Sequence, residues 1–167
     1  MCREDWDNRT MKTQGRHVVC ELTGCPAEKL SSVEHVKAEI YAAAVKANAT
    51  VLHGFFHHFA PNGVTGMLCL AESHIAIHTW PETGYVAIDI YTCGETATPL
   101  DAIDYLATAF EAQQRHVLEL ARGVQDINGR YVSSPVRVNG GSNPIMGMTP
   151  TDSSPRPRAK YKPVPVD

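Results

Sequence analysis

Four β-like runs between residues 50 and 93 constrain the fold of this chain most, because turn-forming residues separate them at short intervals. The runs are Thr50 to Phe59, Val64 to Glu72, Ile75 to Thr79 and Tyr85 to Cys93. The proline and the Asn-Gly pair of Ala60-Pro61-Asn62-Gly63 predict a hairpin between the first two runs. Another turn is predicted at Pro81 to Gly84. The last run alternates between an apolar face, Val86, Ile88 and Ile90, and a second face, Ala87, Asp89, Tyr91 and Cys93.

Helical patterns stand on both sides of these runs. Ser31-Ser32-Val33-Glu34 has the spacing of a capping box and precedes apolar residues with helical period, so a helix is predicted from near Ser31. A second helix is predicted from Thr98 as its cap, with Pro99 at the first helical position. Its apolar face consists of Leu100, Ile103, Leu106, Ala107 and Phe110. Two more strands are predicted, at His17 to Leu22 and at His116 to Ala121. Together these elements predict an α+β fold, a two-layer sandwich with both helices on one face of an antiparallel sheet.

Composition narrows the classes of protein. The chain has 167 residues, 43% of them hydrophobic and 20% charged, which is typical of one globular domain with a substantial core. The formal charge of -3 argues against a nucleic-acid partner, and no apolar run approaches the roughly 20 residues that span a bilayer. Met1 to Gln14 is a polar leader rather than a secretory signal. We therefore expect a cytoplasmic protein with no membrane partner.

The chain divides into a domain at residues 1–138 and a tail at residues 139–167. The tail holds six of the eleven prolines, together with glycine and serine, so we predict that it is disordered. Its basic residues would suit either an acidic partner or plain solvation, and solvation is the more common role of such a cluster. They are Arg156, Arg158, Lys160 and Lys162.

The cysteines and histidines raise the question of a metal site. Five cysteines with no C-x-x-C pair fit neither a disulfide framework nor a zinc knuckle, so free thiols are expected. The pairs His53/His57 and His74/His78 have the four-residue spacing that brings two ligands onto one helix face. Both pairs lie in predicted strands, where that spacing does not bring ligands together. We expect no metal.

The densest group of reactive side chains is ESHIAIHTWPE, residues 72–82, followed by GY.AIDIYTCG, residues 84–94. This stretch is very similar to the signature of the short bacterial and archaeal S-adenosylmethionine decarboxylases, which are pyruvoyl enzymes. Weaker agreement extends through Gly15-Arg16-His17 and Phe56 to Val64, and downstream to about Arg122. The resemblance thus covers most of the chain.

The resemblance implies self-cleavage between Glu72 and Ser73. The Ser73 oxygen would attack the Glu72 carbonyl carbon to give an ester, and loss of the Ser73 Cα proton would release Glu72 as a carboxylate. Ser73 would become a pyruvoyl group at the start of an α chain, and residues 1–72 would form the β chain. A pyruvoyl group forms a Schiff base with the substrate amine and accepts the electron pair left by carbon dioxide, so neither a metal nor a diffusible cofactor is expected.

The resemblance also assigns roles to other side chains. His78 matches the histidine that removes the Cα proton during cleavage, and Cys93 matches the cysteine that returns a proton to the substrate. Thr65 stands where the family usually has a serine that assists cleavage. Ser73 and His78 are separated by an odd number of positions and would point to opposite faces of a regular strand, so we expect a break or a bend in that strand. For substrate contacts the resemblance points to Phe59, Trp80 and Glu82.

The activity that the resemblance implies is decarboxylation of S-adenosylmethionine for spermidine synthesis, by a homodimer of αβ protomers. Two alternatives remain open. One is a pyruvoyl enzyme of the same family that acts on another small amino acid, arginine or ornithine. The other is an unprocessed homologue that serves as a regulatory subunit.

Overall fold

The computed structural model describes residues 14–139, which form one seven-stranded antiparallel sheet and three helices. The strands are β1 Gly15–Thr23, β2 Val51–His58, β3 Val64–Leu70, β4 Ser73–Trp80, β5 Tyr85–Cys93, β6 Gln114–Gln125 and β7 Tyr131–Asn139. The helices are α1 Ala27–Leu30, α2 Val33–Lys46 and α3 Pro99–Ala109, and a 3₁₀ turn covers Pro81–Thr83. The strand order is β2-β3-β4-β5-β1-β6-β7, so β1 lies between the motif strand β5 and β6.

One face of the sheet forms the core with the helices. Apolar residues alternate along the central strands, and their side chains are buried against α2 and α3. The largest fully buried side chains include Leu22, Ile75, Ile77, Ile88, Ile90, Ile40, Ile103, Leu106 and Phe110. Each such burial contributes about 1.5–3 kcal/mol, so the framework under the site is well packed. The predicted two-layer α+β sandwich is confirmed.

The opposite side of the sheet, here called the open face, carries most of the polar and aromatic residues of the motif. His74, His78 and Trp80 of β4 point to this side, as do Asp89, Tyr91 and Cys93 of β5, because they alternate with the buried positions. Several large apolar side chains on it are exposed: Phe55 by 63%, Met67 by 51% and Trp80 by 40%. The open face is therefore where a ligand or another protein surface has room to bind.

The predicted strands and hairpin agree with the structure, and β5 has the predicted bounds. Two helix caps differ from the prediction. Ser32, rather than Ser31, caps α2, because the Ser32 hydroxyl accepts a hydrogen bond from the His35 N–H at 3.2 Å. Thr98 does precede α3, but its side chain makes no capping bond and its hydroxyl donates to the Lys46 carbonyl at 3.4 Å. A serine or threonine near a helix start has several acceptors within reach, and local spacing does not select one.

Two elements were not predicted, the short helix α1 and the edge strand β7. β6 is also longer than predicted, since it continues to Gln125 and pairs with β7 through two register shifts. β7 includes Asn139, the last described residue, which the sequence had assigned to the tail. The predicted leader, apart from Gln14, and the tail from residue 140 lie outside the described residues. None of the helices between residues 14 and 139 is long and apolar enough to cross a bilayer.

Candidate active site

Two groups of motif residues lie at opposite ends of β4. The first, called the serine cluster, consists of Glu72, Ser73, His74, Asp89 and Cys93. Ser73 begins β4 with a φ of 153°, a backbone conformation that a residue with a side chain rarely adopts. The Glu72 carbonyl accepts a hydrogen bond from the Cys93 N–H at 2.9 Å, and the Glu72 carboxylate accepts one from the Thr50 N–H at 2.9 Å. The peptide bond between Glu72 and Ser73 is therefore held in place by β5 and by the residue that precedes β2, and it carries local backbone strain.

A chain of hydrogen bonds leads from the Ser73 hydroxyl across the open face. Ser73 Oγ lies 3.2 Å from His74 Nδ1, and His74 Nε2 lies 2.9 Å from Asp89 Oδ1. The other Asp89 oxygen, Oδ2, lies 3.0 Å from His17 Nε2. Arg122 completes the chain, with Nη1 3.2 Å from His17 Nδ1. Residues of four strands, β4, β5, β1 and β6, thus contribute to one network.

Asp89 is the centre of this network. Its partial burial acts to raise the pKa of the carboxyl, but the hydrogen bonds from His17 and His74 outweigh that effect and leave the pKa below its ordinary value of 3.8. Asp89 is consequently ionised at neutral pH. An ionised carboxylate only accepts hydrogen bonds, so both imidazoles donate to it.

Tyr91 lies beside Cys93 of the serine cluster, and Arg122 lies over Tyr91. The Arg122 guanidinium stacks over the Tyr91 ring, with its central carbon 4.6 Å from the ring centroid. Burial, followed by a hydrogen bond with Cys93, raises the pKa of Tyr91. The half-buried Cys93 thiol therefore has a phenol as its neighbour, at the end of β5 next to the Glu72–Ser73 bond.

The second group, called the aromatic cluster, consists of Phe59, Thr65, His78, Trp80 and Glu82. Thr65 Oγ1 and His78 Nδ1 lie 2.8 Å apart, across the pairing of β3 with β4. The rings of His78 and Trp80 have centroids 6.1 Å apart. Phe59 follows β2, where its ring packs on His57, the residue that pairs with Thr65. Phe59 and Trp80 are 51% and 40% exposed, which makes them accessible to a ligand.

The turn after β4 fixes the position of Glu82. Pro81 begins the 3₁₀ turn, and Gly84 ends it in the left-handed conformation with a φ of 61°. A Cβ added at Gly84 would lie 2.7 Å from the Cys25 carbonyl oxygen, so a larger residue does not fit there. Glu82 stands in this turn with its side chain exposed.

The two clusters are separate within one chain. β4 pairs with β5 without interruption from Ser73 to Trp80, so no bend returns His78 to Ser73. Of the two expected irregularities, a break or a bend, the strand shows only the unusual backbone at Ser73, with its φ of 153°. Five residues of extended chain span about 17 Å. The structure therefore brings Ser73 together with Cys93, and Thr65 together with His78, but it does not bring Ser73 to His78.

Neither histidine pair lies on a helix, because His53 and His57 belong to β2 and His74 and His78 belong to β4. His74 is bonded to Asp89 and His78 to Thr65, on a strand rather than on a helix. Between residues 14 and 139 no group of three or more histidine, cysteine or acidic side chains is arranged to hold a metal ion. The four cysteines of this segment are free thiols.

Sequence analysis did not connect His17, Asp89 and Arg122 with Ser73. A usable signal was present, since Asp89 is a charged residue in the middle of a strand of apolar residues. The missing information was the pairing of strands. His17 and His74 both pair with Tyr91, from opposite sides of β5, and this register places both imidazoles beside Asp89.

Comparisons with known proteins agree on one family. The family model described as S-adenosylmethionine decarboxylase matches residues 16–123. The S-adenosylmethionine decarboxylase proenzyme of Moorella thermoacetica is 46% identical over 114 residues, which are 68% of this chain and 91% of that protein. The proenzyme of Thermotoga petrophila is 44% identical over 128 residues, 77% of this chain and 98% of that protein. Among solved structures, the adenosylmethionine decarboxylase of Aquifex aeolicus superposes with a TM-score of 0.65 at 36% identity, covering 70% of this chain and 96% of its own. The matched residues include both clusters.

Proposed function

Because the chain belongs to the S-adenosylmethionine decarboxylase family, we propose that it is a self-cleaving, pyruvoyl-dependent enzyme that decarboxylates S-adenosylmethionine for spermidine synthesis. The observation that carries the proposal is the geometry of the Glu72–Ser73 bond. Ser73 has a strained backbone, with φ 153°, and the Glu72 carbonyl accepts the Cys93 N–H at 2.9 Å. Strain and a polarised carbonyl both favour attack by the neighbouring hydroxyl.

Self-cleavage then takes three steps. Ser73 Oγ bonds to the Glu72 carbonyl carbon while the peptide C–N bond breaks, which converts the amide into an ester. Loss of the Ser73 Cα proton forms a Cα–Cβ double bond, and the ester oxygen leaves with Glu72 as a carboxylate. The remaining enamine takes up water and releases ammonia, which leaves a pyruvoyl group at residue 73. The products are a β chain that ends at Glu72 and an α chain that begins at residue 73.

The surroundings of residue 73 fit this group. The pyruvoyl carbonyl supplies an electrophile for the substrate amine and an acceptor for the electron pair that carbon dioxide leaves behind. Cys93 lies on the neighbouring strand at the same end of the sheet, with its thiol next to Tyr91. From that position we assign Cys93 the return of a proton to the substrate carbon.

The aromatic cluster is assigned to a second copy of the chain. His78 lies about 17 Å from Ser73 along β4, too far for proton transfer within one chain. Two copies that pack open face to open face around a two-fold axis would place the serine cluster of one beside the aromatic cluster of the other. Exposed Phe55, Met67 and Trp80 supply apolar surface for that contact. The proposed assembly is a homodimer of αβ protomers with two shared sites.

In each shared site the aromatic cluster has a role in cleavage and a role in binding. His78 removes the Cα proton of Ser73, and Thr65 orients the imidazole through its 2.8 Å bond to Nδ1. Phe59 and Trp80 offer exposed ring faces for the adenine and the sulfonium cation of the substrate. Glu82, exposed in the turn, accepts hydrogen bonds from the ribose hydroxyls.

The test is intact-mass spectrometry of the purified protein, followed by carbon dioxide release from S-adenosylmethionine, arginine and ornithine in parallel. We expect two fragments that separate between Glu72 and Ser73, a pyruvoyl mass on the second, and release from S-adenosylmethionine. The Ser73→Ala variant is the matched control and should remain one chain. Carbon dioxide release from arginine or ornithine alone would make that amino acid the substrate in place of S-adenosylmethionine. A wild-type chain that stayed uncut and inactive would leave only the interpretation as a regulatory homologue.

A further inference from the structure

His74 has no role in the function proposed so far, although it is the side chain bonded to the Ser73 hydroxyl. We propose that His74 is the general base for the first step of self-cleavage, the attack of Ser73 Oγ on the Glu72 carbonyl, and that Asp89 is the positioning residue that orients its imidazole. The inference rests on the proposed self-cleavage and deepens it. In the first step His74 accepts the hydroxyl proton of Ser73, whereas in the next step His78 accepts the Cα proton of Ser73.

The hydrogen-bond network determines which nitrogen of His74 is free to accept a proton. Arg122 only donates hydrogen bonds, so His17 Nδ1 accepts, and His17 Nε2 carries the proton that it donates to Asp89 Oδ2. The Asp89 carboxylate only accepts, so His74 Nε2 also carries a proton, which it donates to Oδ1 at 2.9 Å. In neutral His74 the remaining nitrogen, Nδ1, then has a lone pair. That lone pair faces Ser73 Oγ at 3.2 Å.

This order of groups is that of a nucleophile, a base and a carboxylate that orients the base. The hydroxyl of Ser73 donates to His74 Nδ1, and the opposite nitrogen of the same ring donates to Asp89. His17 donates to the second Asp89 oxygen and is itself held by Arg122, which prevents the carboxylate from turning away. The network is thus a continuous set of hydrogen bonds in which donors from both sides converge on Asp89, and one of its ends is the reacting oxygen.

The electrophile is held as firmly as the base. The Glu72 carbonyl oxygen accepts the Cys93 N–H at 2.9 Å, and this donor is in place to stabilise negative charge on that oxygen. The Glu72 side chain is tied to the Thr50 N–H at 2.9 Å, which limits movement of the residue under attack. Nucleophile, base, carbonyl and charge-stabilising donor therefore come from a single chain.

The step balances without any further reactant. The proton of Ser73 Oγ moves to His74 Nδ1 as the oxygen forms a bond to the Glu72 carbonyl carbon. The carbonyl electron pair moves to the oxygen, which the Cys93 N–H stabilises. When that pair returns, the bond between the carbonyl carbon and the Ser73 nitrogen breaks, and His74 Nδ1 gives its proton to the nitrogen. The products are an ester and a free amine, and His74 is neutral again.

The test separates this step from the next one by trapping the ester. At neutral pH hydroxylamine cleaves esters and leaves ordinary peptide bonds intact, so it reports whether the first step has occurred. The fragment masses distinguish a break between Glu72 and Ser73 from one at an Asn-Gly pair such as Asn62-Gly63. We compare His74→Ala and His74→Asn with His78→Ala, and we use His116→Asn, an exposed histidine of β6 outside both clusters, as the matched control. Intact mass is measured with and without hydroxylamine, and thermal unfolding is measured for every variant.

For His78→Ala we expect uncut chains that hydroxylamine cleaves between Glu72 and Ser73, since the ester accumulates. For both His74 variants we expect cleavage at least about 100-fold slower than in the wild type and no hydroxylamine-sensitive chain. Added imidazole should restore part of the cleavage in His74→Ala, because it supplies the missing base. Asp89→Asn should also slow cleavage, and Asp89→Glu should recover part of the rate because it keeps the carboxylate.

Three results would overturn the inference. One is a wild-type rate in His74→Ala, and another is accumulation of ester in that variant. The third is a loss of cleavage that imidazole does not restore in a variant with normal thermal unfolding, which would give His74 a structural role. Failure of the proposed function looks different, because the wild-type chain itself would then stay uncut.

Discussion

The two ends of β4 are built in different ways. At the Ser73 end, polar side chains from four strands form a partly buried network around the ionised Asp89. The donor and the acceptor of each hydrogen bond in this network are determined by their neighbours. At the Trp80 end, exposed rings pack on one another, and a single side-chain bond joins Thr65 to His78. The serine cluster is thus organised for a reaction on its own chain. The aromatic cluster is organised as a surface for something that arrives from outside.

The largest expected effect comes from placing an intact Ser73 and an intact His78 on different chains. Ser73→Ala lacks the nucleophile and His78→Ala lacks the proposed acceptor of the Cα proton, so each should stay uncut alone. When the two variants are co-expressed, half of the randomly formed dimers contain one chain of each variant. In such a dimer the Ser73 of the His78→Ala chain meets the intact His78 of the Ser73→Ala chain. We expect about a quarter of all chains to be cut, which mass spectrometry with a tag on each variant would measure.

The identity of the cut chain carries the information. Only the His78→Ala chain retains Ser73, so it alone should be cut. Absence of cleavage in verified mixed dimers would contradict a site shared between two copies. The control is co-expression of two differently tagged His78→Ala chains, which should remain uncut in every dimer.

A second prediction separates the two roles that we propose for Cys93 in the serine cluster. Its backbone N–H contacts the Glu72 carbonyl, whereas its thiol lies beside Tyr91. Cys93→Ala retains the N–H, so self-cleavage should continue at a rate close to that of the wild type. Loss of the thiol should lower carbon dioxide release by about 10²–10⁴-fold, the usual contribution of a general acid. Fragment masses and carbon dioxide release, measured on the same sample, test both statements.

Cys69→Ala serves as the matched control for that variant, since Cys69 is an exposed cysteine on β3. It should retain both cleavage and decarboxylation. If Cys93→Ala blocked cleavage as strongly as Ser73→Ala does, the thiol would belong to the cleavage step and the division proposed here would fail.

Thr65 offers a smaller and more local test of the aromatic cluster. Thr65→Val keeps the shape of the side chain but removes the hydroxyl that bonds His78 Nδ1. Loss of one such bond is worth about 1–1.5 kcal/mol, which corresponds to cleavage slowed by about tenfold. Thr65→Ser keeps the hydroxyl and should stay within about twofold of the wild-type rate. Equal rates for the valine and serine variants, measured by following fragment masses over time, would show that the hydroxyl does not orient His78.

Strand and helix positions followed largely from local sequence, but the network around Ser73 did not. The alternation of Val86, Ile88 and Ile90 was enough to predict β5 and its buried face. The hairpin of β2 and β3 followed from its turn residues, because turn chemistry is local. His17 and Asp89 are 72 residues apart, and their contact depends on β1 pairing with β5 rather than with a neighbour in sequence.

β7 shows another limit of the sequence. Its run Tyr131–Asn139 contains Pro135, which lacks a backbone N–H and argues against a strand. The structure accommodates this proline because β7 is the last strand of the sheet and its register shifts nearby. Whether a segment lies at an edge is a property of the whole sheet. The distance between Ser73 and His78 also depends on the whole sheet. A motif gives the number of residues between them but does not say whether the strand continues without a bend.

The smallest expected effect concerns the charge in the serine cluster. The folded-state pKa of Asp89 lies below its ordinary value of 3.8, so the unfolded chain binds more protons between these two values. The stability contributed by this carboxylate is therefore fully present above about pH 4 and is lost as the pH falls through the lowered pKa. Asp89→Asn should remove that part of the acid sensitivity. Its unfolding temperature should therefore fall less than that of the parent between pH 5 and pH 3.

Thermal unfolding of the parent and of Asp89→Asn is best measured in a Ser73→Ala background. No chain is cut in that background, so the two proteins cannot differ in cleavage. Glu82→Gln, a change at the exposed carboxylate of the aromatic cluster, is the matched control and should leave the acid sensitivity of the parent in place. If Asp89→Asn and Glu82→Gln followed the same curve, the two ends of β4 would not differ in their electrostatics. A difference confined to Asp89→Asn would place the ionised centre at the Ser73 end, where we propose that the carboxylate orients a base.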